Sequence, residues 1–257
     1  MSQRELSAWI ERLAKSATRP VPARPTGIDA GFLGPDDIDE EAPLVPLESG
    51  NRLAVRPHYY LNGLQGAMGS IMVRQPVIKR LHQAAEMIPV GLELTVLDGW
   101  RSEELQREVY KRISQSAQAA GDGKDASVFA FDLDRRGIPL PYPSDDAPHR
   151  TGGAVDVALF GPEGKAWPMG TEFDAISDRS ATRALEESEA AERAALIGRR
   201  VLYFAMVAAG FVNYPEEWWH FDYGNAFWRF FGALPEGRVF RTINWPGDDP
   251  PSDRDGA

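Results

Sequence analysis

The chain has 257 residues, 28 of them basic against 38 acidic, for a formal charge of −10, a balance that repels a phosphate backbone and argues against nucleic acid as a partner. It contains no Cys, so disulfides and thiolate ligands are excluded, and any zinc site must use His, Asp or Glu. No apolar stretch approaches a membrane span and the N-terminal residues lack the apolar core of a secretory signal, so no membrane association and a cytoplasmic location are expected.

In chain order, Leu6, Ile10 and Leu13 predict a short helix over residues 3–15. From Pro20 to about Glu48 the chain is rich in Pro, Gly and Asp and reads as a surface arm or as partly disordered. Residues 53–74, with glycines at 63, 66 and 69, show no clear period. Val77, Ile78, Leu81, Ala84, Ala85 and Ile88 then form one helical face behind Pro76. Leu92, Leu94 and Val96 alternate with Glu93 and Thr95, as in a half-buried strand ending near Asp98. Ser102, followed by Glu103 and Glu104, caps a helix running to about Ala120, which Gly121-Asp122-Gly123 stops.

Residues 121–148 form a long polar, Pro-rich connection. Ala154–Leu159 predicts a buried strand, 184–209 a long Ala-rich helix ended by Gly210, and Trp219–Tyr223 a last strand. The expected fold is α+β, with a central, mainly antiparallel sheet flanked by helices. The expected division is an N-terminal helix and arm at 1–50, one domain at 51–245, and a disordered tail at 246–257.

Two segments carry the chemistry, His149-Arg-Thr-Gly-Gly-Ala-Val-Asp156 and Glu217-Trp-Trp-His220. A strand at 154–159 carries Asp156, and His149 enters it past the turn that Gly152-Gly153 permits. His220 on a second strand completes a His, Asp, His set, which zinc accepts while keeping a fourth position open. Taken alone, His149 fits a polar loop and Asp156 a turn cap. A carboxylate flanked by Ala154, Val155, Val157 and Ala158 is costly to bury unless it is paired or binds a metal. In the second segment Trp218 and Trp219 bring apolar area, and Glu217 beside them is expected to have a raised pKa suited to proton transfer. The plainer reading makes both tryptophans core, Glu217 solvated and His220 a satisfied core histidine.

These motifs resemble the D-alanyl-D-alanine dipeptidases known from vancomycin resistance. His149, Gly152, Ala154 and Asp156 match the family's His-x-x-Gly-x-Ala-x-Asp, and Glu217-Trp-Trp-His220, preceded by Gly210-Phe211, matches its second half. Met169-Gly-Thr-Glu-Phe-Asp174 and Asp98-Gly-Trp-Arg101 are similar to two further family stretches. The resemblance implies one Zn2+ per chain on His149, Asp156 and His220, with Glu217 as general acid/base. It implies that Arg101 stabilises the oxyanion and that Asp174 receives the free amino terminus of a small dipeptide substrate. A peptidoglycan carboxypeptidase and a non-catalytic zinc-containing binding module are the alternatives. The chain departs from the family pattern at Trp100, Ser102 and Ala147, which bear on the substrate and not on the metal.

Overall fold

A computed structural model describes residues 11, 17–23, 38–119, 147–161, 164–175, 177–187, 192–232 and 237–244. The expected helix at 3–15, the connection at 121–148 and the tail at 246–257 lie almost wholly outside the described residues. The elements are β1 (Leu44–Pro46), β2 (Leu53–Val55), α1 (His58–Leu61), β3 (Met72–Arg74), α2 (Gln75–Met87), β4 (Glu93–Asp98) and α3 (Glu103–Ala119), then β5 (Ala154–Phe160), α4 (Arg193–Ala208), β6 (Val212–Asn213), β7 (His220–Asp222) and α5 (Ala226–Gly232). No helix among the described residues is long and apolar enough to cross a membrane.

Five strands form the main sheet in the order β2-β4-β5-β7-β6. Only the β2–β4 pairing in it is parallel, and β1 and β3 make a separate antiparallel ribbon. The fold is α+β as expected. Val77, Leu81, Ala84 and Ala85 are the buried stripe of α2, at helical spacing and with Pro76 in the first turn. They join Val155, Val157 and Leu159 of β5 and Leu202 and Met206 of α4 in the main core. Side chains of a strand alternate between faces, so Asp156 projects from the opposite face of the sheet. A smaller cluster of Tyr59, Leu64, Leu105 and Val109 links α1 to α3.

Three expectations are corrected. β4 is not half-buried: every residue from Leu94 to Asp98 is buried, because elements cover both faces of this inner strand. The surface arm contributes β1, and Ile38, Ala42 and Leu47 enter the core. The long helix begins at Arg193, and residues 181–187 form turns instead. The cause is tertiary: the buried Arg199 guanidinium donates to the carbonyls of Met169, Arg179 and Ala181, and Arg200 pairs with Glu186. These contacts outweigh the modest helix propensity of an Ala-rich stretch. At the far end Gly210 does end α4: Phe211 N–H donates to Met206 O and Gly210 N–H to Val207 O, the paired bonds of a Schellman cap.

Candidate metal centre

Three adjacent strands bring the site together. Asp156 of β5 is the register partner of His220 in β7, and on its other side it faces Asp98 of β4, just past an irregularity in that pairing. Directly opposed residues share a face of the sheet, so one polar row crosses three strands. His149 reaches the row from a short 3-10 turn, Pro148–Thr151, that Gly152 terminates at φ +72°. The next residue must be glycine for a different reason: a Cβ on Gly153 would lie 2.4 Å from Tyr223 O. With both glycines in place, His149 folds back over the row.

The three side chains converge as expected. His149 Nε2 lies 3.1 Å from His220 Nδ1 and 3.3 Å from Asp156 Oδ1, and His220 Nδ1 lies 3.1 Å from the same oxygen. Ligands about 2.0–2.1 Å from a tetrahedral ion are about 3.3 Å apart, so this triangle is one face of such a tetrahedron. The outer ring atoms agree: His149 Nδ1 meets Gly99 O at 2.6 Å, and His220 Nε2 faces Asp222 Oδ2 at 3.2 Å, off the line of a straight hydrogen bond. A histidine whose outer nitrogen carries the proton turns a lone pair inward. Two lone pairs and a carboxylate at this spacing repel unless a proton or a cation sits among them. Without an ion, a proton on His220 takes that part: burial lowers its pKa, but Asp222 and Asp156 outweigh burial and hold it well above the ordinary range. Burial likewise opposes ionisation of Asp156, and His149, His220 and Arg101 overcome it, leaving the carboxyl well below its usual value.

Glu217 stands at the edge of this triangle, its Oε2 3.9 Å from His220 Nδ1. Burial pushes its carboxyl up to about 7, only partly countered by His220, so the expected raised pKa is present. Trp218 and Trp219 are both buried, and Trp218 Nε1 donates to Thr171 Oγ1 at 2.8 Å. Arg101 is buried rather than a surface ion pair. Its Nε donates to Asp98 Oδ2 at 2.5 Å and its Nη2 to Asp156 Oδ2 at 2.8 Å, while Nη1 lies 3.5 Å from Gln106 Oε1, at the limit of a hydrogen bond. Asp174 accepts from Tyr59 OH at 2.6 Å, and Arg101 Nη2 reaches the same hydroxyl at 3.2 Å. Its backbone is left-handed, φ +61°, a conformation strained for most residues but more open to Asp. Burial raises its carboxyl to about 7.

Four contributors were given no role of their own at the level of sequence, although Asp98 opens the Asp98-Gly-Trp-Arg101 motif. Tyr59 joins Asp174 to Arg101, Asp98 aligns Arg101, Asp222 backs His220, and Asn213 holds the backbone of the 217–220 segment. Asp222 had a signal, since i and i+2 on a strand share a face and His220 is two residues before it. Asp98 ends an apolar strand three residues before Arg101, which is also legible. Tyr59 and Asn213 meet their partners only through the fold.

The chain is similar in sequence to known proteins. The peptidase M15 family model, described as D-Ala-D-Ala dipeptidase, matches residues 65–230. The chain is 28% identical over 212 residues to a D-alanyl-D-alanine dipeptidase of Synechocystis sp., covering 72% of this chain and 83% of that protein. It is 28% identical over 172 residues to one from Enterococcus faecium, covering 63% and 79%. A third, from Escherichia coli, is 27% identical over 132 residues, covering 51% and 55%.

Proposed function

The chain belongs to the D-Ala-D-Ala dipeptidase family, peptidase M15, and from that premise we propose that it hydrolyses D-Ala-D-Ala, or a related small dipeptide with a free amino terminus, with one zinc ion per chain. The observation that carries this reading is the triangle of His149 Nε2, Asp156 Oδ1 and His220 Nδ1 at 3.1–3.3 Å, with the Glu217 carboxylate 3.9 Å from one of its corners. Imidazole nitrogen and carboxylate oxygen suit zinc, and the absence of Cys leaves no softer alternative. When bound, zinc supplies Lewis acidity, polarising a carbonyl oxygen and acidifying water.

The protein's own groups do the rest. Glu217, with its pKa raised to about 7 by burial, takes a proton from the attacking water and delivers it to the leaving amine, since a base tuned near the working pH can do both. Arg101 sets a fixed positive charge beside the same row, where the oxyanion develops; Asp98 and Asp156 fix its orientation beforehand. Asp174 takes the substrate's amino group, and Tyr59 holds its carboxylate in place. The phenol stays protonated because burial pushes its pKa well above the ordinary value, so it remains a donor. One carboxylate that captures a free amine limits the enzyme to the end of a chain.

A panel of D,D, L,D and L,L dipeptides, each with a free or acetylated amine and with or without chelator, tests the reading. We expect chelator-sensitive cleavage of free D,D substrates and none of acetylated ones. Glu217→Gln should lower kcat by about 10²–10⁴-fold at unchanged zinc content. Equal cleavage of blocked and free substrates would remove the role given to Asp174. Cleavage of a muropeptide in preference to the free dipeptide would favour the carboxypeptidase alternative, and zinc binding without turnover the binding module.

A further inference from the structure

Glu217 and His220 are three residues apart, and only His220 belongs to a strand. Something must hold the turn before it so that the Glu217 carboxylate faces the same point as the imidazole. The backbone supplies part of the answer. Glu217 N–H donates to Tyr214 O, Trp218 N–H to Ser180 O, and Val157 N–H to Trp219 O. The carbonyls of Glu217 and His220 both turn the other way, toward β6.

There Asn213 meets both. Its Nδ2 donates to Glu217 O at 2.9 Å and to His220 O at 3.0 Å, while its Oδ1 accepts from Thr182 Oγ1 at 2.6 Å. Asn213 and Thr182 are each buried, at 3% and 4% exposure. The amide cannot be turned over, because carbonyl oxygens only accept and must face the NH2 group. Each carbonyl belongs to a residue that the proposed reaction uses, one the proton carrier and the other a metal ligand. We infer that Asn213 is a positioning residue, a single amide that sets the spacing between the general acid/base and the metal ligand of one short motif. Thr182 in turn orients that amide, and its N–H anchors Pro215 O inside the same turn. The inference rests on the proposed roles of Glu217 and His220.

Asn213→Leu keeps the branching of the side chain and removes both donated bonds and the accepted one; Thr182→Val removes the hydroxyl that orients the amide and that also lies 3.3 Å from Glu217 O. The readouts are zinc affinity by chelator competition, kcat and KM on the preferred dipeptide, and the pH dependence of kcat/KM. Loss of a group that orients ligands costs about 10–100-fold in metal affinity or activity. For Asn213→Leu we expect a kcat decrease of that size, a KM within about threefold, weaker zinc binding and a displaced acid limb of the pH profile. Thr182→Val should move each readout the same way by less. A folded Asn213→Leu protein with wild-type kcat, pH profile and zinc affinity would overturn the inference. If Asn213→Leu does not fold, Thr182→Val decides alone, and wild-type values there overturn it equally. A wild-type protein that cleaves no dipeptide would instead defeat the functional reading, and zinc affinity would still report on the anchoring of His220.

Discussion

Asp174 concentrates the tension of the site in one residue. Its backbone sits at φ +61° and its half-buried side chain accepts a hydrogen bond from the Tyr59 hydroxyl. Burial raises its pKa from 3.8 to about 7, while Arg101 pulls the other way and Asp156 adds to the rise. A carboxyl that binds its proton more tightly folded than unfolded stabilises the fold at low pH. That contribution is complete below about pH 4 and is lost as the pH climbs through about 7. Metal-free wild type should therefore lose stability relative to Asp174→Asn between those limits, since Asn keeps the shape and does not titrate. Thermal unfolding of both proteins in chelator across that range checks this, and parallel curves would show that Asp174 is ionised throughout. In the proposed role, a carboxyl held partly protonated is poised to ionise when a substrate ammonium arrives.

At the scale of elements, the legible parts were those whose signals are local. The α2 stripe, the Ser102 cap of α3, where Ser102 Oγ accepts Leu105 N–H at 3.1 Å, and the strand carrying Asp156 all follow from periodicity and capping. The metal triad was legible because one donor pair is close in sequence and an apolar strand gives a buried Asp no cheaper use. What stayed hidden depends on partners far along the chain. Arg199 gathers the carbonyls of Met169, Arg179 and Ala181, and Asn213 has no local role that would single it out. The Gly152-Gly153 turn lies between these extremes, since its glycines were legible but not their separate jobs. Gly153→Ala tests the second job. A Cβ 2.4 Å from Tyr223 O and 2.9 Å from Phe240 Cδ2 must push the entry to β5 away from Tyr223, beside the turn that presents His149 and at the end of the β5–β7 pairing that holds Asp156 opposite His220. Overpacking of this kind costs about 1–3 kcal/mol. We expect a lowered Tm together with weaker zinc binding, and a variant with native zinc affinity would show that the two strands can part there without disturbing the triad.

Across the whole molecule, segments beyond residues 65–230, the span that the family model matches, pack against the site. The segment 237–244 follows the last matched residue, 230, yet it runs back over the turn that presents His149. Ile243 N–H donates to Arg150 O, Phe240 N–H to Gly224 O, and Trp100 Nε1 to Ile243 O. Arg74 completes the closure from the other end of the chain. Its guanidinium donates to Thr151 O at 2.8 Å, Ala42 O at 2.5 Å and Arg241 O at 2.8 Å, so a single buried cation joins the β1 approach, the His149 turn and the C-terminal segment. Phe240, 2% exposed, fills the space that Gly153 and Gly224 leave open, with the Arg74 guanidinium 5.3 Å from its ring. Truncating a buried Phe to Ala costs about 3–5 kcal/mol, which in a chain of this size lowers Tm by on the order of 6–20 °C. Phe240→Ala should do that and, because the void opens beneath Gly153, should also loosen the hold on zinc. Calorimetry with and without chelator separates the two effects. If Phe240 only fills the core, its replacement lowers both curves equally. If the segment braces the metal site, as the bonds to Arg150 and Arg74 argue, zinc recovers less stability in the variant than in the wild type.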